Sequence, residues 1–199
     1  MGPDEMTAQA LRATAEELLA GNRGILAMDE SIVTRNRRFA AAGIAQGCGE
    51  ITEEVLREPF ASLHTQRVTL GAVIPKPNMV LLGSGCAEQP SAEEVADATL
   101  ACLLRAVPAA VPGIAFLSGG QAGELASAGL NAMNLRSRAC APWALGFSFG
   151  GAIQQPALET CHGEDANVTA AQQALRHRAR CNQMSPRGEH SAEAERTAA

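Results

Sequence analysis

Four apolar runs punctuate the chain: Gly24–Met28, Val68–Pro75, Gly113–Leu117 and Trp143–Phe149. Each is short and close to continuous rather than alternating, the pattern of strands buried on both faces of a parallel sheet. Between and around them the spacing turns helical. Thr7 to Ala20 predicts a helix capped by Thr7, with Leu11, Ala15, Leu18 and Leu19 on one face and Gly21 after its end. An arginine-rich helix over Thr34–Ala42 follows, then one over Thr52–Leu63 with Ile51, Val55, Leu56 and Phe60 as its apolar side. Leu81–Pro90 reads as loop. Ser91 with Glu94 forms a capping box, and Val95, Ala98, Cys102 and Leu103 make the stripe of a helix stopped by Pro108. Further helices are expected over Gln121–Met133, Ala152–Leu158 and Val168–Asn182.

From Val68 onward the order is strand–helix repeated with short turns, which predicts a parallel sheet covered by helices. Functional groups in such sheets gather at the C-terminal ends of the strands. Asp29, Lys76, Ser118 and Gly150 all fall at such ends. The body of the fold is expected over residues 1–184, and the polar stretch 185–199, with Pro186 and Gly188, as a frayed tail.

Composition removes several classes of function. Apolar content of 46% and charged content of 19% are globular values. A net charge of −5 gives no bulk attraction to nucleic acid, and 3% aromatics without tyrosine offers no stacking platform for bases. No apolar run reaches membrane-spanning length. The acidic start Met-Gly-Pro-Asp-Glu-Met is not a secretory signal, and the six scattered cysteines lack a C-x-x-C pair. Reduced thiols and a cytoplasmic location are the expectation. The four histidines make no ligand pair, so neither a metal nor another cofactor is expected.

Candidate chemistry centres on V-I-P-K-P-N-M, residues 73–79. Lys76 is the only lysine in a chain with fifteen arginines. An amine at the end of an apolar strand suits imine formation with a carbonyl, because desolvation frees its lone pair. By position alone a strand-end lysine also suits simple extension to solvent. Asp29-Glu30-Ser31 after the first strand offers carboxylates, or only the cap of the next helix. Ser118-Gly119-Gly120 and Gly150-Gly151 each precede a helix and present backbone N–H groups with room for close approach. Two such junctions in consecutive strand–helix units match the phosphate site of (β/α)8 barrels, although Gly-Gly turns are common.

Four stretches then carry a resemblance: G-I-L-A-M-D-E-S from Gly24, K-P-N-M-V from Lys76, G-I-A-F-L-S-G-G-Q from Gly113 and P-W-A-L-G-F-S-F-G from Pro142. The chain resembles the class I, Schiff-base fructose-bisphosphate aldolases from about Thr7 to Asn182. The resemblance implies a (β/α)8 (TIM-barrel-type) α/β fold, here a partial one with about four parallel strands. It implies cleavage of fructose 1,6-bisphosphate to dihydroxyacetone phosphate and glyceraldehyde 3-phosphate in glycolysis, without metal. By the same resemblance Lys76 forms the imine and Asp29 assists carbon–carbon cleavage. Ser118, Gly119, Gly120 and Gly150 hold one phosphate, and Ser31, Arg37 and Arg38 help hold the other.

The departures matter as much. The family's D-E-S-T-G stands here as D-E-S-I-V, and its S-Y-G-R as Ser148-Phe149-Gly150-Gly151, without the phosphate-clamping arginine. Likeness to the first unit ends near Arg67 and likeness to the sixth strand begins near Thr69. Strands two to five, which carry the family's glutamates and accessory lysines, have no counterpart. A closed barrel needs about 250 residues, so this chain is expected to be open-edged, to pair with a second copy, or to pack as a compact sheet. An inactive remnant that binds sugar phosphates or serves as an interaction module is the alternative.

Overall fold

A computed structural model describes residues 3–19, 48–82 and 89–196. The first predicted strand and the arginine-rich helix, and with them Asp29, Ser31, Arg37 and Arg38, lie outside the described residues.

Helix α1 spans Pro3–Leu19 and α2 spans Cys48–Thr65. The former starts before Thr7, and of its predicted apolar face Ala15 is buried while Leu11 is exposed. Helix α1 lies against a 3-10 turn over Leu70–Ala72, with the Arg12 guanidinium so close to Gly71 that any Cβ there would meet it at 2.6 Å. On α2, Phe60 reaches the core and Leu56 packs beside it, whereas Val55 faces out.

Of the four strands expected, the one over Gly24–Met28 lies outside the described residues. Among the described residues the regular sheet is two parallel strands, β1 at Gly113–Phe116 and β2 at Ala144–Phe147, paired Gly113 with Ala144 through Phe116 with Phe147. The predicted strand over Val68–Pro75 begins instead as the 3-10 turn and then runs extended beside β1. Two bonds join them: Ala115 N–H donates to the Pro75 carbonyl and Leu117 N–H to the Pro77 carbonyl, both at 3.0 Å. A parallel ladder needs a return donor between those bonds. The group in that place is the nitrogen of Pro77, which carries no hydrogen, so this segment pairs one-sidedly.

Helix α3, Ala92–Ala106, starts at the predicted capping box: Ser91 Oγ accepts from Glu94 N–H at 3.2 Å, and Glu94 Oε2 accepts from Ser91 N–H at 2.8 Å. Its buried stripe is Val95, Ala96, Thr99, Leu100, Cys102 and Leu103, so exposed Ala98 is replaced in the core by Thr99. That threonine earns its burial. Its hydroxyl donates to the Val95 carbonyl at 2.6 Å and accepts from Val80 N–H at 2.9 Å, tying the extended segment to the helix. Helix α4, Gly123–Ser137, follows β1, and α5, Gly151–Cys161, follows β2. The core gathers Met79, Leu103, Ile114, Phe116, Leu130, Met133 and Phe149, all nearly inaccessible.

Helix α6 spans Val168–Met184 and packs along α5. The chain then departs from the frayed tail expected after residue 184. Ser185 is fully buried, Arg138 Nη2 donates to the Arg187 carbonyl at 2.6 Å, and His190 N–H donates to Asn131 Oδ1 at 3.0 Å. A short helix α7, Ala192–Arg196, closes the described chain. Polar composition misled here because the segment docks through hydrogen bonds to α4 rather than through an apolar face. Among the described residues no helix is long and apolar enough to cross a membrane.

Candidate functional site

The register of the three parallel segments decides which residues share a face. The bonds from Ala115 and Leu117 set Lys76 beside Ala115 and Asn78 beside Leu117. Across the sheet, Ala115 pairs with Gly146, and Ser148 N–H donates to the Phe116 carbonyl at 2.8 Å, placing Ser148 beside Leu117. One row therefore reads Lys76, Ala115, Gly146, and the next on the same face Asn78, Leu117, Ser148. Beside Lys76 in that row stand only a methyl group, at Ala115, and Gly146. Lys76 itself is half-buried.

Immediately beyond β1 the backbone reverses. Gln121 N–H donates to the Ser118 carbonyl at 3.0 Å, and the two residues between have positive φ, 62° at Gly119 and 80° at Gly120. Both angles fit the mirror-image turns that glycine adopts without steric cost. The turn is fastened from outside as well: Gln121 Nε2 donates to the Ser118 carbonyl at 3.1 Å and reaches Met79 Sδ at 3.6 Å. The Asn78 amide lies on Gly119, its Oδ1 only 2.2 Å from where a Cβ would stand. That oxygen is buried and has no hydrogen-bond partner among the described residues. K-P-N-M and S-G-G-Q are thus one packed unit.

Beyond β2, Gly150 (φ −104°, ψ −85°) opens α5, and its carbonyl accepts from Ile153 and Gln154 N–H at 3.0 Å. Neither α4 nor α5 is closed by a capping side chain at its start, in contrast to α3. The two starts are neighbours: a Cβ on Gly123 would stand 2.6 Å from the Ala152 carbonyl. Two uncapped helix N-termini side by side concentrate donor groups and positive dipole ends, which favours an anion. Gly151 is exposed, and open space surrounds its missing Cβ.

Of the predicted site residues, the structure brings Lys76, Ser118, Gly119, Gly120 and Gly150 to the same end of the sheet. Asp29, Ser31, Arg37 and Arg38 are outside what it describes. Asn78 was missed by sequence reasoning, although its place two residues after Lys76, on the same face, was the signal.

A second polar cluster joins α6, α4 and α7. Arg178 is buried; its Nη1 donates to Glu195 Oε2, and its Nη2 to Ser127 Oγ at 2.9 Å and Asn182 Oδ1 at 3.3 Å. His190 Nε2 lies 2.6 Å from Glu195 Oε1. Burial alone would push the Glu195 carboxyl up, but the bond to His190 and the charge and bonds of Arg178 outweigh it and hold the group below its usual value. Nearby, burial and the Glu195 charge push the Cys181 thiol up to about 11. The spacings Arg178–Asn182 and His177–Cys181, each four apart, were the available signal for this cluster.

Comparison with known proteins agrees with the motifs. A model of the fructose-bisphosphate aldolase class-I family, described as glycolytic, matches residues 43–199. The chain is 46% identical over 145 residues to fructose-bisphosphate aldolase B of Gallus gallus, covering 73% of this chain and 40% of that protein. It is 42% identical over 144 residues to the Dictyostelium discoideum fructose-bisphosphate aldolase, covering 72% and 40%. With the probable class 1 enzyme of Xanthomonas campestris it shares 45% identity over 142 residues, covering 71% and 42%. The structure is similar to the Plasmodium falciparum fructose-bisphosphate aldolase solved with TRAP and a small-molecule inhibitor. That match has a TM-score of 0.68 at 32% identity and covers 92% of this chain and 53% of the other. The chain thus spans about 40% of the length of the curated relatives it matches. By this family match, the chain belongs to the class-I fructose-bisphosphate aldolases.

Proposed function

We propose that this chain carries the imine-forming half of a fructose-bisphosphate aldolase-type lyase, with Lys76 as nucleophile and the Ser118–Gly120 and Gly150 junctions as the phosphate cradle. The observation that supports it most is the shared register: Lys76 lies one row before Asn78, Leu117 and Ser148, after which the chain passes through Gly119–Gly120 and through Gly150 into the two uncapped helices. A phosphate seated on those N–H groups holds the carbonyl carbon of a short sugar phosphate within reach of a lysine on the neighbouring segment.

The chemistry runs as follows. The neutral Nζ adds to the ketone carbon, and loss of water leaves a protonated imine at Lys76. A carboxylate, Asp29 by resemblance, removes the proton from the hydroxyl beyond the scissile bond. The carbon–carbon bond breaks, its electrons pass to the imine as an enamine, and glyceraldehyde 3-phosphate leaves. Protonation and hydrolysis of the enamine release dihydroxyacetone phosphate and restore the amine.

A second reading, a domain that binds sugar phosphate without turnover, is favoured by one specific feature. Gly151 stands where the family has its phosphate-clamping arginine. Borohydride reduction with dihydroxyacetone phosphate separates the two. Lys76 is the sole lysine, so a peptide map has one side-chain amine to read. A reduced adduct on Lys76, absent in Lys76→Met, is expected. No adduct, with binding retained, leaves the second reading standing in its place.

A further inference from the structure

Away from the sheet ends, three side chains with metal-ligating atoms meet where α7 folds onto α6. We propose that His177, Cys181 and Glu195 form a site for one divalent ion of the zinc class. His177 and Cys181 are four apart on α6 and so share a face, and Glu195 comes across from α7. His177 Nε2 lies 3.7 Å from Cys181 Sγ and 3.8 Å from Glu195 Oε2, and all three donor atoms lie within 4.8 Å of one another. Around a tetrahedral zinc with bonds of about 2.0–2.3 Å, ligand atoms stand roughly 3.3–3.8 Å apart. Two edges of the triangle already have that length. The third, from Cys181 to Glu195, is no longer than 4.8 Å.

The surroundings suit a ligand set of one sulfur, one nitrogen and one oxygen, which favours a borderline ion over calcium or magnesium. His190 on Oε1 and Arg178 on Oε2 orient the carboxylate, as outer-shell partners do in metal sites. His177 Nδ1 is buried with no hydrogen-bond partner among the described residues, and Nε2 is the nitrogen that lies beside Cys181 and Glu195. On binding, the Cys181 thiol gives its proton to solvent and its sulfur to the ion. Thiolate and carboxylate then balance the two positive charges of the ion, with Arg178 and, further off, Arg180 as neighbouring cations. Glu195 and His190 also line an open groove of about 520 Å³ between α4, the start of α3 and α7, and the His177 side chain is 19% exposed, so the cluster lies close to solvent. Arg178 also reaches the start of α4, its Nε 2.8 Å from where a Cβ on Gly123 would stand. The ion would act as a clip, pinning a five-residue helix too short to hold its fold alone.

Titration of the full chain with Co2+ after chelator treatment tests this. One equivalent is expected to bind, with a thiolate-to-cobalt absorption band and the visible intensity of a four-coordinate site, displaced by Zn2+. His177→Ala and Cys181→Ser should each weaken binding more than about 100-fold, beyond the effect typical of outer-shell changes. Both leave the Arg178–Glu195 pair in place, and metal-free melting curves confirm that the variants fold. Absence of a thiolate band, or an isotherm unchanged in both variants, would overturn the site.

Discussion

At the scale of single residues, the site rests on glycines whose reasons differ. Gly119 is fixed twice over, by its φ of 62° and by Asn78 lying where a side chain would go. Gly119→Ala must strain the backbone and push Asn78 away from the turn, at an expected cost of about 1–3 kcal/mol. Urea melts should show a lower midpoint with an unchanged slope; a midpoint equal to wild type would mean the turn relaxes freely. Gly151 is the opposite case, exposed with open space around it. Gly151→Arg therefore adds a guanidinium without a clash, beside the proposed phosphate. A charge-assisted hydrogen bond contributes roughly 1.5–3 kcal/mol, so dihydroxyacetone phosphate should bind about 10–100-fold more tightly by calorimetry. Unaltered affinity would place the phosphate elsewhere.

At the scale of elements, legibility in the sequence followed how local the determinants were. Helix α3 could be read from Ser91 and Glu94 because a capping box involves four consecutive residues and nothing else. The strands β1 and β2 were legible as apolar runs between glycines. The lysine segment was read as a strand on the same pattern, but its hydrogen bonding was decided by Pro75 and Pro77, which supply acceptors to β1 and no donors. The stretch after Ser185 failed for another reason. Its anchors, Asn131 and Arg138, lie some fifty to sixty residues away in the chain and leave no local trace. The capping box also makes a prediction with a sign. Ser91 holds the Glu94 carboxyl below its usual value through the backbone N–H and the hydroxyl. That help is present above the unfolded carboxyl pKa and fades as pH falls through the lower folded value. Ser91→Ala should cost about 1 kcal/mol near neutral pH. The penalty should shrink in acid, as paired melts at the two pH values would read out; an equal penalty at both would deny the carboxylate its part.

At the scale of the whole molecule, the chain keeps Lys76, the proposed nucleophile, and the glycine junctions while spanning about 40% of its curated relatives' length. Binding and turnover need not survive together in such a chain, because they draw on different groups. The proposed phosphate contacts are backbone N–H groups just beyond β1 and β2, whose apolar side chains lie in the packed core. Turnover needs in addition a proton acceptor supplied from outside that core. Linkage gives the consequence a magnitude. A ligand at 100 times its Kd stabilises the folded state by about 2.7 kcal/mol, and each kcal/mol moves Tm by roughly 2–4 °C for a chain of this size. Dihydroxyacetone phosphate at saturating concentration should therefore raise Tm by about 5–10 °C. Lys76→Met should keep most of that shift while losing the borohydride adduct, since the phosphate seat does not include the amine. Ser118→Pro is the complementary change: it removes an N–H at the seat and should abolish the shift. If Lys76→Met loses the whole shift instead, the imine rather than the phosphate holds the ligand, and the glycine junctions are turns without a role in binding.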